Sequence, residues 1–262
     1  DLPFAVRPQV RPDQAVMVYM DDESHDKLGQ SRIEPWDRSL HARLVDRLTA
    51  AGARVVVFDV VFSDPDPEPS RDQALAGAFR ASKRVLIAAD TVPAGYGTGT
   101  RQRAVTPPID LLRDAVAGFG SAETVPSHDF AIRQHFHGSR DDFLASLSWT
   151  AAKFVGAAVT RSPEEQFRER WVNYYGPPGA IPSISYYRAL ETNVATDRLF
   201  KDKVVFIGAW LLTKFAGERK DEFRNPFSYW RAQDRFISGV EVQATLFLNL
   251  LRGDWLSRWS QT

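Results

Sequence analysis

The run Val55-Val56-Val57-Phe58-Asp59-Val60-Val61-Phe62 restricts this chain more than any other feature. A strand with one face in water alternates apolar and polar side chains, because successive side chains point to opposite faces. This run is apolar at both odd and even positions. It therefore predicts a strand covered on both sides, as in parallel sheets packed between helical layers. The segments around it agree. Ala15-Val16-Met17-Val18-Tyr19-Met20 is short, apolar and closed by Asp21-Asp22, which predicts a first strand over 15–20. Over 37–51, Leu40, Leu44, Val45 and Leu48 share one helical face and Gly52 follows as a stop. Strand, helix, strand in that order is a βαβ unit.

Further elements follow the same rules. Alternating prolines make 63–69 a loop. Ser70-Arg71-Asp72-Gln73 has the capping-box pattern and opens a helix through Ala81. Residues 85–89 read as a strand, and the Gly-, Pro- and Thr-rich 91–108 as a long surface loop. Residues 118–122 and 131–136 are expected to pair antiparallel. A helix is expected over 143–158, strands over 171–175 and 203–208, a short helix over 185–190, mostly loop over 210–237, and a last helix from the capping-box pattern Ser238-Gly239-Val240-Glu241 to about Leu251. The expectation is an α/β fold: a mixed, largely parallel sheet flanked by helices, in a single domain over 1–262 with long loops and its core at about 13–255.

Composition removes several function classes. The 33 basic and 33 acidic residues cancel, whereas a nucleic-acid-binding domain carries a basic excess. No cysteine is present, so disulfides, thiolate metal sites and cysteine nucleophiles are excluded, a composition suited to an oxidising periplasm. No apolar run of about 18 residues and no signal peptide occur. The chain starts at Asp1, and the expectation is an excised segment whose targeting elements lie outside it. Leu250-Leu251-Arg252-Gly253-Asp254-Trp255 near the end reads either as a membrane-interface flank or as the polar end of a buried helix.

Carboxylates gather where an open α/β sheet places its ligands, outside the carboxyl ends of the strands: Asp21, Asp22 and Glu23 after the first strand, Asp59 within the second, Asp64 beyond it. They suit a divalent cation or a cationic ligand, or else serve as caps and buried hydrogen-bonded groups. His135 and His137 share a face if 131–136 is a strand, as some zinc sites require, but no third ligand is placed; exposed strand histidines are the simpler reading. Glu241 is a further ligand candidate, but Ser238 three residues before it makes a cap the simpler reading. Gly95-Tyr96-Gly97-Thr98-Gly99-Thr100 lacks the strand before, the helix after and the Lys-Thr of a phosphate loop, and reads as a flexible loop. No nucleophile, base and orienter assemble, so no catalytic residue is assigned. Trp210, Phe215, Phe223, Phe227, Tyr229, Trp230 and Phe236, with Lys214, Arg219, Lys220 and Arg224, are too rich for a plain linker. They form a lid, a dimer or membrane contact, or a satellite hydrophobic cluster.

Three ordered segments carry a resemblance. The first is Val18-Tyr19-Met20-Asp21-Asp22-Glu23-Ser24 with Pro35-Trp36-Asp37-Arg38 and His41-Ala42-Arg43-Leu44. The second is Ala51-Gly52-Ala53-Arg54 running through Phe62-Ser63-Asp64-Pro65. The third joins Val172-Asn173-Tyr174, Ile184-Ser185-Tyr186, Phe200-Lys201-Asp202-Lys203-Val204-Val205-Phe206-Ile207-Gly208 and Gly239-Val240-Glu241-Val242-Gln243-Ala244. In this order the set resembles the CHASE2 domain, over nearly the whole chain. Where that family commonly has an Asp followed by Thr-Pro after the late strand, Asp221 here precedes Arg224-Asn225-Pro226. The resemblance implies the extracytoplasmic sensor of a bacterial membrane receptor, set between membrane helices and coupled to a cytoplasmic cyclase or kinase. It adds Trp36, Arg38 and Asp221 to Asp21, Asp22, Asp59 and Asp64 as candidate ligand-binding residues.

The leading expectation is thus a sensor that is not itself an enzyme, takes an unknown small ligand or extracytoplasmic protein, pairs as a homodimer and needs no cofactor beyond a possible divalent cation. An assembly module without a small ligand comes second. A metal-assisted hydrolase using the same carboxylates comes third, with Asp59, His135 and His137 as candidate metal ligands.

Overall fold

Every central strand buries both of its faces, one in each of two cores. The computed structural model describes Phe4 and residues 9–94, 102–139, 144–211, 222–229 and 236–257. Strand β1 (Ala15–Asp21) leads through α1 (Asp22–Leu28) and α2 (Arg38–Ala50) to β2 (Val55–Val61), and α3 (Pro69–Ser82) leads to β3 (Val85–Ala94). Strand β4 (Gln102–Thr106), helix α4 (Asp110–Arg113), strand β5 (Gly118–Ser121), a small hairpin of β6 (Gly138–Ser139) and β7 (Leu144–Ala145), and helix α5 (Leu147–Phe154) follow. Next come β8 (Ser183–Ser185), α6 (Tyr186–Ala189), α7 (Val194–Phe200) and β9 (Val204–Trp210). The described part closes with a hairpin of β10 (Glu222–Arg224) and β11 (Phe236–Ser238), then α8 (Gly239–Arg252).

The main sheet has seven strands in the order β4-β3-β2-β9-β1-β8, with β5 also on β3. All its pairings are parallel except β3 with β4. The expected α/β class therefore stands. On one face Val16, Val18, Val56, Phe58, Val85, Ile87, Val205 and Ile207 meet α2, α3, α4, α6 and α7. On the other, Met17, Tyr19, Val55, Val57, Leu86 and Phe206 meet α5 and α8. A third cluster of Ile132, Val172, Tyr174, Phe227 and Ile237 covers the far side of α8 through Val242 and Leu246. Helix α8 is consequently buried from Val240 to Leu250, and its polar end starts at the left-handed Gly253. Close packing fixes it: a Cβ added to Gly208 on β9 would stand 2.6 Å from Val240 Cβ.

Several sequence expectations are corrected. Residues 91–108 are not all loop: β3 runs on to Ala94 and pairs antiparallel with β4, Pro93 being tolerated at the sheet's margin. Residues 95–101, with the glycine-rich segment, lie outside the described residues. Residues 118–122 do not pair with 131–136. Instead β5 lies parallel on β3, Leu86 opposite Gly118. Residues 171–175 form no strand, because their amides are satisfied by three different segments: Trp171 N donates to Leu256 O, Val172 N to Arg133 O and Asn173 N to Asn249 Oδ1. Helix α5 begins only at Leu147, capped by Ser146. Helix α3 starts on Pro69 with Glu68 at the cap position, not on Ser70, and Asp72 turns inward. Within 210–237, β10 and β11 add a hairpin.

Candidate functional site

Three carboxylates stand toward the carboxyl ends of the parallel segments: Asp59 two residues inside the end of β2, Asp90 where the parallel pairing of β3 stops, and Glu123 two residues past β5. They line a cavity of about 470 Å³ together with Val61, Ala122, Thr124, Pro126, Phe223 and Gly239. Parallel strands put such side chains at one edge of the sheet, where open α/β folds bind ligands. The register between β2 and β3 shifts between Phe58 and Val61, so Asp59 sits in a bulge. A bulge bends its strand and re-aims the side chain.

Helix α8 forms part of the wall. Gly239, its first residue, lines the cavity, and Gln243 one turn on donates Nε2 to Ala122 O at 2.9 Å. Among the described residues, buried Gln243 Oε1 has no partner. Glu123 N donates to Ser121 Oγ at 3.1 Å, which fixes the chain as it leaves β5.

Of the candidate ligand-binding residues that are described, only Asp59 lines this cavity. Asp21 caps α1, accepting from Ser24 N at 2.9 Å, and its other oxygen accepts from Ser185 Oγ at 2.6 Å, which ties β1 to β8. Asp22 pairs with Arg32 at 3.3 Å. Asp64 is exposed and accepts from Ser63 Oγ at 2.9 Å. Arg38 is buried in an ion pair with Asp72 and donates to the backbone carbonyl of Asp64. Trp36 is buried edge-on to His25 and Tyr186, centroids 4.9 Å away from each, and among the described residues its Nε1 has no partner. Asp221 lies outside the described residues.

The histidines are placed apart from this cavity. His135 is buried with Nε2 3.4 Å from Asn249 Oδ1, and burial above all pushes its pKa down to about 3. His137 is half-buried, and its backbone carbonyl accepts from Gln166. Among the described residues, no three His, Asp or Glu side chains gather in a metal-binding arrangement.

The late aromatic segment divides. Trp210 packs on Tyr19 at 4.6 Å, Phe227 joins the third cluster, and Phe223 both packs against that cluster and lines the cavity. Phe215, Trp230, Lys214, Arg219, Lys220 and the Tyr229 side chain lie outside the described residues.

Phe223 comes from the late aromatic segment read as a lid, whereas Asp90, Glu123 and Gly239 were not expected here. The rule that placed Asp59 applies equally to Asp90, which directly follows Val85-Leu86-Ile87-Ala88-Ala89. Glu123 was hidden by the wrong partner chosen for 118–122. The capping role of Ser238 is as expected, its Oγ accepting from Glu241 N at 3.3 Å. The Glu241 side chain, however, turns into the protein, where Tyr19 OH and Gly179 N reach it.

No helix of the described residues is long and apolar enough to cross a membrane. No curated protein and no solved structure matches the chain. The family model of the CHASE2 domain matches residues 1–262, the whole chain. Ordered motifs, a largely parallel sheet and that full-length match agree: the chain belongs to the CHASE2 domain family, whose members are extracytoplasmic sensory domains.

Proposed function

We propose that this domain is the signal-receiving part of a membrane-bound bacterial receptor, itself without catalysis, that binds a small ligand toward the carboxyl ends of the parallel segments of β2, β3 and β5 and relays binding through flanking membrane helices to a cytoplasmic cyclase or kinase. The observation that carries the reading is the cavity lined by Asp59, Asp90 and Glu123 beside the start of α8. Three carboxylates with Phe223 suit a ligand rich in N–H or O–H donors, an amine above all. A ligand shifts an equilibrium only by its different affinity for the two states, and one seated here touches Gly239, so movement of α8 is the difference to which it responds. Native mass spectrometry of the domain, before and after denaturation, tests this. Added mass that is lost on denaturation, and absent from the Asp59→Asn/Asp90→Asn/Glu123→Gln variant, is the expected result. Retention of that mass by the folded variant would place the ligand elsewhere.

A second reading is a protein partner or a second copy of the chain. Val125 and Phe130 stand exposed beside the cavity segment, and Phe130 has a φ of 62°, which is costly for a bulky residue. Light scattering of wild type and Phe130→Ser tests it: an assembly that the variant loses favours this reading, and a monomer in both disposes of self-pairing.

A further inference from the structure

Glu241 stands in the first turn of α8 and is 2% exposed. Among the described residues, its carboxylate has neutral donors only. Tyr19 OH donates to Oε2 at 3.1 Å, and Gly179 N reaches Oε1 at 2.9 Å and Oε2 at 3.2 Å. The amides of Ala180 and Ile181 pull in the same direction. Among the described residues no Lys, Arg or His pairs with it. The titratable groups that face it are Tyr19 from β1 and Tyr174 from 171–175, both pushed up, by burial first and by Glu241 itself as well. The turn over 177–181 brings no titratable side chain.

A buried carboxylate without a cation is costly to ionise, whereas amides aimed at it favour the ionised form. We propose that Glu241 is a proton-binding site by which this domain reads the pH around it: protonated, it stays buried under the 177–181 turn on α8; ionised, it draws in water and loosens that turn. Burial against those hydrogen bonds leaves its pKa raised to about 7. Gly179 is exposed, so protons have a short path to the carboxylate. The turn runs into β8 through Pro182, whose carbonyl accepts from Met17 N at 2.8 Å on β1, so its loosening reaches the edge of the sheet.

The test needs no ligand and stands apart from the cavity reading. Hydrogen exchange of the whole domain is followed from pH 5.5 to 8.5 and corrected for intrinsic rates. Protection of 177–182 is expected to fall about tenfold as pH rises through one unit above 7, because opening hydrates the ionised carboxylate, and to become pH-independent in Glu241→Gln. A flat wild-type profile, or a pH dependence retained by the variant, overturns the proposal. Should the variant not fold, carbon NMR of the wild-type Glu241 carboxyl decides: a midpoint above pH 6 supports the site and one below pH 6 overturns it.

Discussion

Tyr19 and Glu241, 222 positions apart in sequence, meet in one buried hydrogen bond of 3.1 Å that joins the middle of the sheet to α8. Tyr19→Phe keeps the ring against Trp210 and removes the donor. A hydrogen bond to a charged group contributes about 1.5–3 kcal/mol, and one to a neutral group about 1. Urea unfolding should therefore show the larger loss at pH 8, where Glu241 is ionised, and the smaller at pH 5.5. Equal losses would mean that Glu241 does not change state between them.

Stability should peak near pH 7. His41 and His135 are buried, and burial, helped at His41 by the charge of Arg38, pushes each down to about 3. Below their ordinary value of 6.5 the unfolded chain takes up two protons that the folded chain refuses, so acid destabilises. Glu241 acts in the opposite sense: raised from 4.5 to about 7, it holds a proton in the folded chain across that window, and its contribution is lost as pH rises through it. From pH 6.5 to 4.5 the two histidines outweigh the one carboxylate by a single proton, about 1.4 kcal/mol per pH unit. Glu241→Gln should steepen the slope to roughly twice that value. Denaturant titrations at half-unit steps measure both slopes, and a gain in stability from pH 6.5 to 5 would contradict this account.

Asp72→Ala should cost about 3–5 kcal/mol, because it leaves the Arg38 guanidinium buried and unpaired. It also frees Asp66 N, which donates to Asp72 Oδ2 at 3.0 Å, so the 64–66 loop loses an anchor. The double variant Arg38→Met/Asp72→Leu should recover most of the loss. Chemical denaturation of wild type, Asp72→Ala and the double variant decides; a double variant as unstable as Asp72→Ala would show that the pair is more than charge compensation.

Gly208→Ala drives a methyl group into Val240, with about 1–3 kcal/mol lost to overpacking. Adding Val240→Ala should restore part of that loss. Thermal unfolding of both variants gives the coupling, and strict additivity would mean that α8 simply shifts to make room.

The strands that bury both faces were legible because β-branched runs on two faces have one physical explanation. Neighbours in the sheet were not. Nothing local in Gly118-Phe119-Gly120 tells whether it joins Leu86 in parallel or 131–136 in antiparallel. The decisive contact is remote: a Cβ on Gly120 would stand 2.8 Å from Leu147 Cα, so α5 is seated where only glycine permits. That placement brings Glu123 beside Asp90, and it is why the cavity was only one-third visible through Asp59. Residues 171–175 show the converse. Their apolar, aromatic character reads as strand, yet burial among three segments satisfies the backbone without a ladder. Glu241 was hidden by a correct local reading, since Ser238 does cap the helix while the acid serves a partner far away in sequence.

Helix α8 is 14 residues long, about 21 Å at 1.5 Å per residue. Its first residue lines the cavity, its second presses on Gly208, and its far end lies beside Asp254. That geometry is a lever with its fulcrum at Val240, close to the end where a ligand or a proton acts. A tilt of about 5° moves the opposite end by roughly 2 Å, so a short stroke at the cavity becomes a larger one at the end of the helix.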